Sequence, residues 1–428
     1  MQNVSCLFSF QESYWTEFQE IAFNLNKSYN LDSISKTKNF NFSISHGLSE
    51  MRQLAQEIFE FHPDVIVFLD HQPHPLVLIA LLISLYAEKP RPRFIFHIYG
   101  DFTLSYSRWE KLGHLLEGDK VDFIVPSKRQ KKFFDRYLQA PNASILCPFP
   151  VDEGEFFFSP ELRDSQRSKW GIKEDEFVFL YAGTLSRQKR IYKILKAFSA
   201  FILSENKTPC HLFLYGDADS IGDPYLDKRE TEGEYFRALD RLFRSLPDEV
   251  RKNIHFMGNV SKEDLQSVYE GADALINLSV CNDQDYEMSV AQAQAKGLPS
   301  ILSDWGGVAH FRHREMEEAT CFVTVRIGQK SKLISQEETV KAFKTIRKLN
   351  QSERQSLSNL SLRKYGIKAC HDILKKNLMQ KNTLFNGFSP FFEQVAEETN
   401  WSTSPYISKT KKINNLFREI YSSYVRAD

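Results

Sequence analysis

The sequence predicts an α/β protein made of two Rossmann-like halves, each a doubly wound parallel sheet. Three observations carry this expectation. Apolar runs of strand length alternate with stretches of helical spacing along most of the chain. The alternation breaks once, at Pro148-Phe149-Pro150-Val151-Asp152, and begins again at Glu176. At 428 residues the chain is too long for one core, and two domains of about 150–200 residues are expected. The expected bounds are 1–150, 151–379 and a helical extension, 380–428, that packs back on the protein.

In the first half, Val4 to Phe10 is a short apolar strand, and Glu12 to Leu25 has helical spacing. Leu48 to Phe61 is a helix before the buried strand Asp64 to Asp70. The loop His71 to Pro75 leads into an apolar helix, Leu76 to Ala87, which is too short to span a bilayer. Phe94 to Tyr99 is a strand that ends at Gly100-Asp101. Val121 to Val125 is another, followed by Ser127 and the basic helix Lys128 to Leu138. Ser144 to Pro150 closes the half.

The second half opens with the strand Glu176 to Gly183 and the helix Ile191 to Ser204. Strands His211 to Tyr215 and Ile254 to Met257 follow, each ending in glycine, Gly216 and Gly258. The helix Ser261 to Glu270 precedes the strand at Ala274-Leu275-Ile276. Met288 to Ala295, rich in Ala and Gln, is a helix stopped by Gly297 and Pro299. A strand at Pro299 to Leu302 leads to the glycine pair Gly306-Gly307, which permits close backbone approach to a ligand. The polar loop before Met288 meets a helix N-terminus, where free N–H groups favour an anion. Loops at the carboxyl ends of neighbouring strands are where open α/β sheets bind nucleotides. At the far end, Ile413, Leu416, Phe417, Ile420 and Tyr424 share one side of an amphipathic helix. That side is expected to pack on the protein; a membrane-surface helix is the alternative, disfavoured by few basic residues on the polar face.

The formal net charge is zero, which argues against a general nucleic-acid binder. Six widely spaced cysteines with no C-x-x-C pair fit a reduced cytoplasmic protein better than a disulfide scaffold or zinc site. Cys281 reads as a half-buried filler. The N-terminal residues show no signal-peptide pattern. Two D-x-D strings, Asp217-Ala218-Asp219 and Asp283-Gln284-Asp285, read as loop carboxylates, so no metal is assigned. His310 and His313 have the spacing of helical zinc ligands but no evident third ligand.

The segment Leu275 to Gly307 resembles the donor-binding unit of the retaining GT-B glycosyltransferases, the "glycosyl transferases group one" family (family four). That family's pattern is E-x-F-G-x-x-x-x-E-A-x-A-x-G-x-P, a strand, then D-x-G-G. The match lies at Ala293, Ala295, Gly297, Pro299, Asp304, Gly306 and Gly307, with Tyr286 in the aromatic slot. Gln284 and Gln292 take the slots of the two glutamates, and Glu287 takes the glycine slot. FMGNVSKEDLQSVYEGADALINLS and the loop Gly183 to Lys189 are similar to further family segments, with Thr184 in the arginine slot.

The resemblance implies a GT-B fold, two Rossmann-like domains with parallel sheets facing across a cleft. It implies transfer of a sugar, with retention, from a nucleoside-diphosphate donor (a UDP- or GDP-sugar) to a glycan, lipid-linked sugar or protein. No further cofactor is implied. Lys189 matches the family's diphosphate lysine, and Arg187 lies in the same loop. Gln284 would orient the transferred sugar. Gln292 would accept from ribose hydroxyls. Gly183, Thr184, Gly258, Asn259, Glu287, Met288, Ser289, Gly306 and Gly307 would line the donor site. Glu287 would repel phosphate unless it pairs with Arg187 or Lys189. His97 and Asp101 sit where the family orients the acceptor. The expected location is cytoplasmic, with a peripheral place at the inner face of a membrane as an alternative. The departures at Thr184, Gln284, Glu287 and Gln292 leave open a catalytically weak protein that binds a nucleotide sugar or glycan, or scaffolds a partner glycosyltransferase.

Overall fold

The structure, a computed structural model, describes residues 2–9, 16–32, 35–43, 46–69, 74–140, 143–204, 209–218, 233–282, 284–328, 332–380, 384–399 and 411–425. The loop 71–73, Asp283 and Asp219 lie outside them. The chain forms two compact units: residues 1–150 with 365–405, and 151–364 with 406–428.

The first unit runs β1 (Gln2–Ser9), α1 (Thr16–Asn30), β2 (Ser35–Phe42), α2 (Leu48–Glu60), β3 (Val65–Phe68), α3 (Leu76–Leu85), β4 (Arg93–His97), α4 (Tyr106–Leu116), β5 (Val121–Val125), α5 (Lys128–Asp135) and β6 (Ile145–Leu146). Its strands pair in parallel in the order β2-β1-β3-β4-β5-β6. β3 and β4 are buried along their whole length, the property that made both legible as apolar runs. β2 is an edge strand whose Lys36, Lys38 and Asn39 are exposed. Such a polar edge resists pairing with other chains, and for the same reason carries no apolar signal.

The second unit runs α6 (Glu161–Trp170), β7 (Phe177–Ala182), α7 (Ile191–Leu203), β8 (Cys210–Tyr215), α8 (Glu234–Ser245), α9 (Asp248–Arg251), β9 (Ile254–Gly258), α10 (Lys262–Gly271), β10 (Ala274–Asn277), α11 (Met288–Ala295), β11 (Ser300–Ser303) and β12 (Thr320–Val323). A small hairpin, β13 (Val325–Ile327) and β14 (Lys332–Ile334), and the helices α12 (Gln336–Thr345) and α13 (Gln351–Tyr365) follow. The parallel sheet has the order β12-β11-β10-β7-β8-β9. The chain lays β7, β8 and β9 outward in one direction, then returns to place β10 on the other side of β7. The topological switch point therefore lies between β7 and β10. Phe179, Phe198, Phe201 and Phe343 pack together on one face of this sheet, with Phe201 and Phe343 stacked at 5.5 Å.

The distal helices correct the expected bounds. α14 (Ile367–Met379) was expected with the second domain but packs on α1 in the first unit. His371 Nδ1 donates to the Ser28 carbonyl at 2.8 Å, Lys375 pairs with Asp32 at 2.9 Å, and Arg93 donates to the Asn377 carbonyl at 3.0 Å. The extension 380–428 is not one body. α15 (Pro390–Thr399) stays with the first unit, where Phe388 and Phe392 stack at 4.3 Å beside Phe102. α16 (Lys411–Ile420) and the turn Tyr421–Tyr424 belong to the second. Leu416, Phe417, Ile420 and Tyr424, expected on the packing side of this helix, are buried there.

Candidate active site

Gly183, Thr184, Arg187, Lys189, Gln284 and Glu287 lie in the loops after β7 and β10, on both sides of the switch point. Beyond β7, Gly183 has φ +146, and the Tyr181 hydroxyl donates to the Thr184 carbonyl at 2.7 Å. Leu185 N–H then bonds the Asp217 carbonyl at 2.8 Å, and the Gln188 carbonyl accepts from Val280 N–H at 3.0 Å. These bonds tie the loop to both neighbouring strands. Arg190, with φ +60, begins α7 and bonds the Lys332 carbonyl at 3.2 Å. Lys189 is thereby aimed at the loop that follows β10.

There its ammonium meets two oxygens, Oε2 of Glu287 at 2.9 Å and Oε1 of Gln284 at 3.1 Å. Glu287 is the N-cap of α11, and its other oxygen accepts from Ser289 Oγ at 3.0 Å. The protein's own carboxylate thus stands at the start of this helix, bonded to Lys189 and Ser289 and not to the helix N–H groups. Of the two cations the sequence offered to Glu287, Lys189 is the one that pairs with it. Arg187 lies with its guanidinium 5.5 Å from the Tyr235 ring centroid. Gln284 is buried; its oxygen also accepts from Ser279 Oγ at 2.6 Å, and its nitrogen donates to the Tyr286 carbonyl.

The glycine pair lies against the polar loop. Gly306 has φ +47, and Gly307 N–H donates to the Gln284 carbonyl at 2.7 Å. A Cβ on Gly306 would press on the Gln284 carbonyl, and one on Gly307 on the Asp285 carbonyl. What these glycines let in is the polar loop's own backbone. Tyr424, from the turn after α16, packs over Gly306 and lies 5.4 Å from the Trp305 ring.

Gln292 lies within α11. It is buried, and its Oε1 accepts from the Tyr269 hydroxyl at 3.4 Å. Met288 is buried, Ser289 half-buried and Thr184 exposed. Gly258, the last residue of β9, and Asn259 after it stand apart; Asn259 Nδ2 donates to the Asp217 carboxylate. His97 and Asp101 lie in the first unit and read as structural. The His97 ring is 1 % exposed, with Nε2 2.9 Å from the Tyr29 hydroxyl, and burial lowers its pKa to about 3. Asp101 caps a short 3₁₀ turn, accepting from Thr103 N–H at 3.0 Å and Thr103 Oγ1 at 2.6 Å. His313 is held by Gln294 at 3.0 Å and Ser361 at 3.3 Å, and burial lowers its pKa to about 4. Among the described residues no group of three His, Cys, Asp or Glu is placed to hold a metal ion.

Two supports of the site were not anticipated. Ser279 is held by the Asn277 side chain, which accepts from its N–H at 3.0 Å; the Asn-x-Ser spacing after a strand is the available signal. Lys332 is buried in β14, donates to the Val280 carbonyl at 2.6 Å and to Asn282, and faces the Trp305 ring at 5.1 Å. Nothing local announces a buried lysine beside the exposed Leu333.

With two such units, the fold is GT-B. Residues 163–321 match the family described as glycosyl transferases group 1. The chain is 25% identical over 245 residues to lipopolysaccharide 1,2-N-acetylglucosaminetransferase of Salmonella typhimurium, covering 56% of this chain and 57% of that one. It is 26% identical over 184 residues to alpha-monoglucosyldiacylglycerol synthase of Acholeplasma laidlawii, covering 42% of this chain and 40% of that one. The chain thus spans about half the length of these relatives. Among solved structures, Anabaena Alr3699/HepE in complex with UDP and glucose superposes with a TM-score of 0.62 at 12% identity, covering 88% of this chain and 99% of that one. The galactosyltransferase WaaB of the lipopolysaccharide outer core superposes with a TM-score of 0.60 at 12% identity, over 88% and 99%. Among the described residues no helix is long and apolar enough to cross a membrane.

Proposed function

We propose that this protein transfers a sugar from a nucleoside-diphosphate donor to an acceptor hydroxyl, with retention of configuration. The observation that carries this reading is Lys189, an ammonium held at the switch point inside the segment that matches the glycosyltransferase family. As the bond from the sugar's anomeric carbon to the diphosphate oxygen breaks, negative charge grows on the leaving phosphate, and Lys189 stabilises it. The acceptor oxygen bonds the anomeric carbon on the same face, and its proton passes to the departing phosphate. Gln284 orients sugar hydroxyls through its amide. Gln292 serves the ribose, and Gly183 and Thr184 allow close approach of the donor. Charge stabilisation comes from the protein, with no metal in the step. A uridine donor is supported by the UDP bound to the HepE neighbour, and a glycan or lipid acceptor by the names of both relatives.

One observation favours a second reading. Lys189 already holds Glu287, and Gln284 is bound on both its amide atoms, so donor binding without efficient transfer fits the same site. A screen of UDP- and GDP-sugars, with and without EDTA, reading released nucleoside diphosphate, separates the two. Turnover that survives EDTA supports the transferase. Saturable nucleotide binding with no release from any donor supports the second reading. Turnover lost to EDTA and restored by manganese overturns the metal-free step.

A further inference from the structure

The first unit contains an open cavity of about 430 Å³ that no candidate residue lines. Its walls come from the start of α2, with Leu48 and Met51, and from the start of α3, with Leu76 and Val77. Leu48 and Val77 are each about half exposed, at 53% and 50%, although both are apolar. β2 and β3, the strands that feed these helices, stand on opposite sides of β1. The order β2-β1-β3 makes β1 the switch point of this sheet, and open α/β sheets bind ligands in the crevice at that point. The cavity size is that of a small-molecule site.

Charge narrows the occupant. Among the described residues no carboxylate lines the cavity. Among the described lining residues the guanidinium of Arg108, on the exposed side of α4, is the one permanent charge, and His46 and His74 are the other ionisable groups. An apolar trough with a guanidinium at its wall suits an alkyl chain that ends in a phosphate. Free phosphate alone would leave the apolar walls wet.

We propose that this cavity binds the chain and head of a single-chain or membrane lipid with a phosphate head group. This rests on the transferase reading only in making that amphiphile the acceptor class; the binding itself is independent of it. The test uses the full chain and isothermal titration with dodecyl phosphate below its micelle concentration, against neutral dodecyl maltoside and inorganic phosphate. Dodecyl phosphate is expected to bind. Leu48→Asp and Val77→Asp, at exposed positions that tolerate polarity, should each weaken it by about tenfold through lost apolar burial. Arg108→Gln should reduce the preference for dodecyl phosphate over the maltoside by about fivefold. Circular dichroism checks that each variant is folded. No binding of dodecyl phosphate, or affinity unchanged in both folded aspartate variants, overturns the proposal. Displacement by inorganic phosphate also overturns it, since that marks a simple anion site. UDP titration of the same proteins keeps the two readings apart. Loss of UDP binding in the unaltered chain removes the donor site and leaves the lipid result standing.

Discussion

At the scale of single residues, the site turns on one ammonium shared between two oxygens. Lys189→Ala should lower turnover at least about tenfold, because one charge-assisted contact to a leaving group in a dry site is worth roughly 2–4 kcal/mol. Unchanged turnover in folded protein would remove Lys189 from the step. Glu287 makes the more discriminating case. Its carboxylate holds the cation that the diphosphate needs and repels the diphosphate itself. Glu287→Gln should therefore tighten UDP binding by about 1 kcal/mol, roughly fivefold. Equal or weaker binding would mean that Glu287 positions Lys189 instead of competing with its ligand. The sequence offered Lys189 through its spacing from Gly183, but left open which cation would meet Glu287. That choice depends on a loop tied to two other strands, which no local pattern encodes. His97 illustrates the opposite failure. A strand-end histidine is identical in sequence whether it faces a ligand or, as here, the Tyr29 hydroxyl in the core. Its folded pKa of about 3 lies below the usual histidine value. Between these values the unfolded chain takes a proton that the folded ring refuses. This contribution to stability is complete near neutral pH and falls by about 1.4 kcal/mol per pH unit toward pH 3. In urea melts at pH 7 and pH 5, His97→Gln should lose about 2 kcal/mol less across that interval than the unaltered chain. Parallel losses would show that His97 takes up its proton while folded.

At the scale of elements, legibility followed burial. β3, β4, β7 and β10 are apolar runs flanked by turn residues, and each lies where the pattern put it. β2 and α6 were missed for one reason. The edge strand shows lysines to solvent, and α6 fixes itself through Arg167, which donates to the Gly271 carbonyl and pairs with Asp273, instead of through an apolar stripe. Polar anchoring has no period to detect. The glycine pair was visible, but its partner was not, because contact between Gly307 and the Gln284–Tyr286 backbone is a tertiary event. That contact makes a prediction about an element. Gly307→Ala drives a methyl into the Asp285 carbonyl, so either the β11 turn or the polar loop must move. The cost should be about 1–3 kcal/mol in the second unit's stability, the range for overpacking a tight site. UDP binding should fall with it, as Gln284 loses its alignment with Lys189. A stable Gly307→Ala protein with unaltered UDP affinity would show that the loop is not held from this side.

At the scale of the whole molecule, the chain divides its work unevenly along its length. Each unit has its own six-stranded sheet and core, and the chain returns to the first unit at Tyr365 and to the second at Tyr406. Composition and the Pro148–Asp152 break anticipate two cores, but nothing in residues 365–428 says which core each helix joins. The amphipathic face around Leu416 announced burial without naming its partner. The turn after that helix, through Tyr421 and Tyr424, packs on the turn that carries Trp305 and Gly306, and so braces the candidate donor site from outside it. A chain ending at Pro405 should keep the first unit intact, because that unit's α14 and α15 remain. Its second unit should lose the buried side chains of Leu416, Phe417, Ile420, Tyr421 and Tyr424, the last two of which pack at Trp305. Uncovering several buried side chains of this size costs several kcal/mol, at roughly 1.5–3 kcal/mol each before relaxation. In calorimetry the shortened protein should show one transition near its original temperature and one clearly lowered. Saturating UDP should raise only the lowered transition, since a ligand stabilises the unit that binds it by about 2.7 kcal/mol at a hundred times its Kd. If both transitions fall together, residues 406–428 support the whole molecule and the brace is not specific to the site. If neither moves, the contacts of Tyr424 with Gly306 and Trp305 contribute nothing to holding the donor loop in place.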